Sequence, residues 1–261
     1  MKIAIMIPAI IDQECAQAVT SAMRENIVLA NPDCEFTFLI NIDDYCRTGC
    51  FGNVTSVSNA YNELAKEVNC LVNIVVHKHP LGLTLASRKL FERFLDLDSD
   101  YLIFFDDDCV VINPIHFSEF LGVVKDDVTL HLAFAYDNAS VENPFIKNDI
   151  QFEGDTVRVF SNSAVFMTEN GTIFTRDNIR DILDEYGSNE KKFDRSRNPE
   201  DVIGGLDCYR KRPVWTVTYK ADDCIVADKS PKKNRPLWRL PRKNHFIVDS
   251  IRHHRKVGWN K

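Results

Sequence analysis

The stretch Tyr101-Leu-Ile-Phe-Phe-Asp-Asp-Asp-Cys-Val-Val-Ile112 decides the fold, because an apolar run ends directly in three consecutive aspartates. A run without polar alternation indicates a strand buried on both faces, as in a parallel sheet covered by helices. Three adjacent carboxylates repel one another unless solvent, a shared proton or a cation neutralises them. Alternate side chains of an extended chain share a side, so Asp106 and Asp108 can face one ligand while Asp107 faces elsewhere. A solvated acidic turn would have the same sequence, but hard oxygen ligands after a buried strand favour Mg²⁺ or Mn²⁺.

The composition is that of a globular α/β protein. The chain has 261 residues, of which 44% are hydrophobic and 27% charged, and this balance excludes a disordered chain. No apolar run reaches the roughly 18 residues of a membrane span. Residues 1–8 read as a first strand, being too short for a signal peptide. The eight cysteines form no Cys-x-x-Cys pair, so we expect free thiols in a cytoplasmic protein and no zinc site.

Charge is distributed unevenly along the chain. Of 32 Lys and Arg and 38 Asp and Glu in total, residues 229–261 hold eleven of the bases and one of the acids, Asp249. Such asymmetry predicts a basic arm that meets an anion, which could be a nucleotide, a nucleic acid or an acidic membrane surface.

Periodicity predicts alternating strands and helices in the first half of the chain. Strands are predicted at residues 2–10 (stopped near Pro8), 35–42, 71–76, 101–112, 129–136, 156–168, 213–219 and 224–227. Helices are predicted from a cap at Asp12 to about residue 30, from a cap at Asn53 or Thr55 to about 68, and at 84–97, 114–124, 177–186 and after Asn198-Pro199.

Three βα repeats followed by a strand indicate a doubly wound, mostly parallel sheet. Ligands of such sheets bind at the carboxyl ends of the strands, where Asp43, Asp44 and the aspartates after residue 105 lie. The predicted organisation is a nucleotide-binding half (1–112), a second half of the same domain with mixed strands (113–228) and the basic arm (229–261).

Several motifs follow one another in order over roughly residues 1–228. An opening strand reaches Pro8, and a second strand ends in Asp43-Asp44. They are followed by Leu81-Gly-Leu-Thr-Leu-Ala-Ser-Arg88, by Asp106-Asp107-Asp108 and by Asn198-Pro-Glu-Asp-Val-Ile-Gly-Gly-Leu206. This ordered set resembles the GT-A fold glycosyltransferases of the family-2 type. Residues 81–88 are spaced like the family's Gly-x-x-x-Ala-Arg segment, the three aspartates occupy the DxD position, and residues 198–206 resemble the start of the catalytic helix.

The resemblance implies a GT-A sheet with a C-terminal acceptor lobe, a UDP-linked or similar nucleotide diphosphate sugar as donor, and Mn²⁺ or Mg²⁺ as cofactor. It implies metal ligation by Asp106 and Asp108, with Asp228 as a third ligand and His253 or His254 as alternatives. It implies that Asp201 is the general base of an inverting transfer, with Glu200 as its substitute, although retaining enzymes share the DxD motif. The remaining donor contacts that it implies are Pro8, Ala9, Asp43 or Asp44, Arg88 and Asp107.

The basic arm interleaves cations with Trp238, a pattern typical of surfaces that hold phosphate backbones and unstacked bases. We therefore expect the acceptor to be a hydroxymethylated base in DNA, extruded from the duplex. The alternatives are a lid over the donor diphosphate and adhesion near a glycan or lipid-linked acceptor at an anionic membrane. The acceptor-binding residues predicted in the arm are Lys232, Lys233, Arg235, Trp238, Arg239, Arg242 and Lys243.

Other enzyme classes fit the sequence less well. Residues 104–111 match the Asp-x-Asp-x-Val start of haloacid-dehalogenase-like phosphatases, with Asp106 as nucleophile, but that motif follows the first strand of its domain. Sugar nucleotidyltransferases and Rossmann dehydrogenases require glycine-rich first loops, and residues 1–24 contain no glycine.

Overall fold

The structure is a computed structural model that describes residues 1–46, 49–122, 128–132, 150–161, 171–188, 213–220 and 249–250. Its helices are α1 (Gln13–Met23, continued by a π-helical turn at Arg24–Val28), α2 (Val54–Val68), α3 (Gly82–Leu95) and α4 (Arg176–Ser188), with a 3₁₀ turn at Phe117–Glu119. Its strands are β1 (Lys2–Ile10), β2 (Glu35–Asp43), β3 (Leu71–His77), β4 (Tyr101–Phe104), β5 (Cys109–Val110), β6 (Thr129–Leu132), β7 (Ile150–Glu153), β8 (Val157–Ser161), β9 (Thr172–Thr175), β10 (Val214–Tyr219) and β11 (Asp249–Ser250).

Within these ranges, nine strands form one mixed sheet in the order β3-β2-β1-β4-β9-β6-β10-β8-β7. The first four strands are parallel, which is the arrangement that three βα repeats followed by a strand predict. Beyond β4 the sheet becomes mixed, because β9 runs antiparallel to both β4 and β6 while β10 is parallel to β6. Strands β5 and β11 pair separately as a two-stranded ribbon. The α/β class is therefore confirmed.

Helices cover both faces of the parallel strands. Alternate residues of β1 point to opposite faces: Ile3, Ile5 and Ile7 pack with α1 and α2, while Ala4 and Met6 pack with α3 and α4. The continuous burial of β1 thus follows from coverage on both sides. This layering leaves the strand ends as the places where polar side chains can gather.

Short-range hydrogen bonds set the helix boundaries that position the strand ends. The Asp12 side chain accepts a hydrogen bond from Cys15 N at 3.2 Å and caps α1, as predicted. Of the two predicted caps for α2, Asn53 is the one used, in a reciprocal pair with Ser56. The helix ends at Asn69, whose φ of 51° is left-handed.

The strand predicted at 2–10 is confirmed, although Pro8 lies inside β1 and does not stop it. Two other predictions are wrong. The strand predicted at 101–112 is divided, because β4 ends at Phe104 and β5 (Cys109–Val110) pairs separately with β11. No α-helix follows Asn113-Pro114 within residues 113–122, where the only helical element is the short turn at Phe117–Glu119. Strands β7 and β9 were not predicted; β9 has only four residues and takes its place from the neighbours β4 and β6.

Asn31 joins the end of the first helical segment to the chain that follows the three aspartates. It is 5% exposed; its Nδ2 donates to Ile27 O and Ile115 O, and its Oδ1 accepts from Phe117 N at 2.8 Å.

We expect Asn31→Ala to destabilise the fold by about 3 kcal/mol, because buried backbone groups would lose their partners. Urea unfolding measures this, with the exposed Asn59→Ala as control; a loss equal to that of the control would contradict the prediction.

In the part of the chain that the structure describes, no helix combines the length and hydrophobicity needed to cross a bilayer. The six cysteines in the same part, Cys15, Cys34, Cys46, Cys50, Cys70 and Cys109, are free thiols.

Candidate metal and donor site

The parallel strands create a crevice beside β1. The chain passes from β1 to β2 and β3 on one side and then crosses to β4 on the other, so the direction of strand order reverses between β1 and β4. Open α/β sheets bind ligands outside the carboxyl ends of the strands at such a reversal. The three aspartates follow β4 at this place, and Asp43 ends β2, paired in register with Ile10.

The aspartates form a tight turn that presents two carboxylates together. Cys109 N donates to Asp106 O at 3.2 Å, which closes the turn around Asp107 and Asp108. Ligand atoms of Asp106, Asp108 and Cys109 all lie within 4.8 Å of one another. Asp106 and Asp108 are half-buried, whereas Cys109 is buried. This turn brings the two carboxylates together; the alternation of an extended strand, which the sequence suggests, does not, because β4 ends at Phe104.

The chemistry of these three groups suits a hard divalent cation. Burial, together with the carboxylates of Asp108, Asp106 and Asp107, raises the pKa of the Cys109 thiol well above its ordinary value. The two carboxylates are the better ligands of the three for such a cation, because Mg²⁺ and Mn²⁺ prefer oxygen to sulfur. Two half-exposed carboxylates offer oxygen ligands and leave positions for water and phosphate oxygens, which is how Mg²⁺ is usually bound.

Asp107 faces away from its neighbours. It is 7% exposed, and its Oδ2 accepts a hydrogen bond from Ile10 N at 2.8 Å. The side chain therefore crosses from the turn after β4 to the end of β1.

The two acids at the end of β2 have different environments. Asp43 is 6% exposed, and its Oδ2 accepts from Leu81 N at 2.9 Å and Gly82 N at 3.0 Å, at the start of α3. Its Oδ1 is buried and has no hydrogen-bond partner among the described residues. Asp44 is exposed, and its backbone N–H donates to His77 O at 2.9 Å. Asp43 thus carries an unused acceptor, which in a buried position is costly without a partner.

Three other predicted donor contacts, Pro8, Ala9 and Arg88, lie within the described ranges. Pro8 and Ala9 are buried near the end of β1. Arg88 lies on α3, where its Nε forms an ion pair with Glu92 Oε1 at 3.1 Å. The remaining predicted site residues lie outside the described residues: Glu200, Asp201, Asp228, Lys232, Lys233, Arg235, Trp238, Arg239, Arg242, Lys243, His253 and His254. The strand predicted at 224–227 and the helix predicted after Asn198-Pro199 also lie outside them.

Sequence reasoning missed His77, which is paired in register with Asp43 and ends β3. Its Nε2 is buried without a hydrogen-bond partner in the described part of the structure. Its position at the end of the third parallel strand is the signal that could have identified it.

His77 predicts how stability changes in mild acid. Burial lowers the pKa of His77, and the opposing effect of the Asp43 carboxylate is smaller; Lys89 and Arg93 add to the lowering. The unfolded chain then takes up the proton more readily, so stability is lost as pH falls below about 6.5. We expect the melting temperature of the wild type to fall more between about pH 7.5 and 5.5 than that of His77→Gln. Parallel pH profiles for the two proteins would refute this assignment.

Fold and site together define an α/β protein with a large mixed sheet and a carboxylate cluster where the strand order reverses. No protein-family profile matches the sequence, and no curated protein sequence matches it.

The chain is similar in fold to solved structures of S. aureus TarS. For one TarS crystal structure the TM-score is 0.53 with 9% sequence identity over 83% of this chain and 35% of that chain. For TarS 1-349 the TM-score is 0.54, also with 9% identity, over 83% of this chain and 58% of that chain. The chain therefore spans about a third to just over half of these proteins, and the likeness shows the fold alone.

The position of β4 along the chain bears on the phosphatase alternative. Three βα units precede β4, so the aspartates do not follow the first strand of the domain. This order disfavours the haloacid-dehalogenase-like interpretation, whose nucleophile follows the first strand.

Proposed function

We propose that the protein is a metal-dependent glycosyltransferase that moves a sugar from a nucleotide diphosphate sugar, UDP-linked, to an acceptor hydroxyl. The observation that carries this proposal is the Asp106–Asp108 pair at the reversal of strand order. The fold similarity to TarS, a GT-A-like glycosyltransferase, supports the same class. A GT-A layout with an acceptor lobe in residues 113–228 forms part of the proposal.

In this proposal Asp106 and Asp108 hold Mn²⁺ or Mg²⁺. The cation, when bound, neutralises charge on the leaving diphosphate. Because both carboxylates are half-buried, solvent and phosphate oxygens can still reach them. Asp228, with His253 or His254 as alternatives, is proposed as a further ligand.

The donor nucleoside is proposed to lie along the ends of β1 and β2, beside Pro8 and Ala9. The unpartnered Oδ1 of Asp43 supports a contact with a base N–H, since a carboxylate oxygen is an acceptor only. Asp44, which is exposed, is the alternative for this contact. Arg88 is proposed to pair with donor phosphate, for which it would exchange its contact with Glu92.

Asp201 is proposed to take the proton of the acceptor hydroxyl in an inverting displacement, with Glu200 as the substitute base. The family motif around Asn198-Pro199 supports these roles. For the acceptor we propose a hydroxymethylated base in DNA, bound through the cations and Trp238 of the basic arm.

A nucleotide-sugar screen with and without Mn²⁺ tests the donor proposal. We expect one sugar nucleotide to raise the melting temperature, and to be hydrolysed slowly, only when Mn²⁺ is present. A protein that responds to no sugar nucleotide in either condition would refute the proposal.

A binding titration with duplex DNA tests the acceptor proposal separately. The affinity for DNA should fall steeply as the salt concentration rises, and binding no stronger than background at low salt would exclude DNA.

A further inference from the structure

The gap between β1 and β4 begins where their backbone pairing ends. The last register pair is Met6 with Phe104, and Phe105 N donates to Met6 O at 3.0 Å. β1 continues to Ile10, and beyond Met6 its one partner among the described strands is β2. Within the described residues, the other side of the β1 backbone beyond Met6 therefore faces the turn of aspartates and not a strand.

Pro8 and Ile10 are the residues of β1 whose backbone faces this gap, because alternate residues of a parallel strand bond to the same neighbour. Pro8 has no N–H, so the departure of β4 leaves no donor unsatisfied there. This is the physical reason that a proline lies inside a central strand. The next donor on that side is Ile10 N, and Asp107 Oδ2 accepts it at 2.8 Å.

We propose that Asp107 is a positioning residue: its buried carboxylate holds the Asp106–Cys109 turn onto the end of β1, so that Asp106 and Asp108 face the crevice together. This rests on the proposed function only for the identity of what the two outer aspartates bind. Asp107 is 7% exposed, and its side chain spans the two strands at the reversal of strand order. The sequence alone predicts a contact of Asp107 with the donor, and its burial favours the positioning role instead.

Asp107→Asn and Asp107→Ala separate positioning from ligand binding, because asparagine keeps an oxygen that can accept from Ile10 N. We expect metal-free, donor-free Asp107→Ala to melt about 4 °C below the wild type, and Asp107→Asn to melt within about 1 °C of it. In an electron paramagnetic resonance titration with Mn²⁺ alone, we expect about tenfold weaker binding for Asp107→Ala and about twofold at most for Asp107→Asn.

Asp108→Asn and the exposed Asp33→Ala are the matched controls for the Mn²⁺ titration and for melting, respectively. If Asp107→Asn weakens Mn²⁺ binding as much as Asp108→Asn does, Asp107 is a ligand and the proposal is wrong. If Asp107→Ala has the same melting temperature as Asp33→Ala and the wild type, the hydrogen bond to Ile10 N does not stabilise the turn, and the proposal is also wrong. If the wild type binds no Mn²⁺, the proposed function loses its metal, while the melting comparison still decides the role of Asp107.

Discussion

Asp106→Asn and Asp108→Asn should each lower the rate of sugar transfer by about 100- to 1000-fold, since each removes one charged ligand that would hold a cation against the leaving diphosphate. The two side chains belong to one cluster, with ligand atoms within 4.8 Å. The effects should therefore be far from additive, and the double variant should be little worse than either single one. Chelation with EDTA should lower wild-type activity to a similar level, and added Mn²⁺ should restore the wild type but not the variants.

The control for this prediction is Asp33→Asn, an exposed acid remote in sequence from the turn. It should transfer sugar at the wild-type rate with the same response to Mn²⁺. Transfer by Asp108→Asn at the wild-type rate, or wild-type transfer that persists in EDTA, would contradict metal ligation by this pair. Loss of a phosphatase activity together with retained transfer in Asp106→Asn would favour the phosphatase interpretation.

The sequence was sufficient for the parallel half of the fold because its signals there are local. Unbroken apolar runs identify β1, β2 and β4, and helix caps at Asp12 and Asn53 lie between them. Parallel strands align their carboxyl ends, so the acids after β2 and β4 had to share an edge. Strand alternation singles out Asp106 and Asp108 in the sequence, whereas the structure brings them together in a turn after β4 has ended.

The remaining features depend on contacts between residues far apart in the chain. In the sequence Pro8 looks like a strand terminator, because a central strand needs the N–H that proline lacks. It is tolerated in β1 because the pairing of β1 with β4 has already ended at Met6, and this cannot be seen in the sequence. Asn113-Pro114 carries a helix-start pattern, yet the backbone near it is held by Asn31, more than 80 residues earlier. Strand β9 has only four residues, and its position is set by its pairing with β4 and β6. The composition of β9 itself carries no information about these neighbours.

The sequence also does not show which carboxylate oxygen of Asp43 or Asp44 is left to accept a hydrogen bond from a ligand. The difference is created by α3, whose first backbone N–H groups at Leu81 and Gly82 bind one oxygen of Asp43 and bury the residue. A rule based on strand ends treats the two acids as equivalent, whereas burial separates them.

Asp43→Asn should weaken binding of the donor nucleotide about 100-fold while leaving the fold nearly as stable as the wild type. The amide oxygen can still accept from Leu81 N and Gly82 N, so the start of α3 remains held. The amide nitrogen then replaces Oδ1, and a donor would meet the base N–H where an acceptor is required. Asp43→Ala should lose both functions, with weaker donor binding and a loss of about 2 kcal/mol in unfolding free energy.

Calorimetric titration with the nucleoside diphosphate and urea unfolding measure the two effects separately. Asp44→Asn is the matched variant one residue away; its side chain is exposed, so we expect a weakening of donor binding of only about threefold. If Asp44→Asn weakens binding more than Asp43→Asn does, the base contact belongs to Asp44 and Asp43 serves only to hold α3. If Asp43→Asn instead lowers stability as much as Asp43→Ala, the carboxylate charge at the helix start matters more than the hydrogen bonds, because the positive end of the helix dipole would then provide the main interaction.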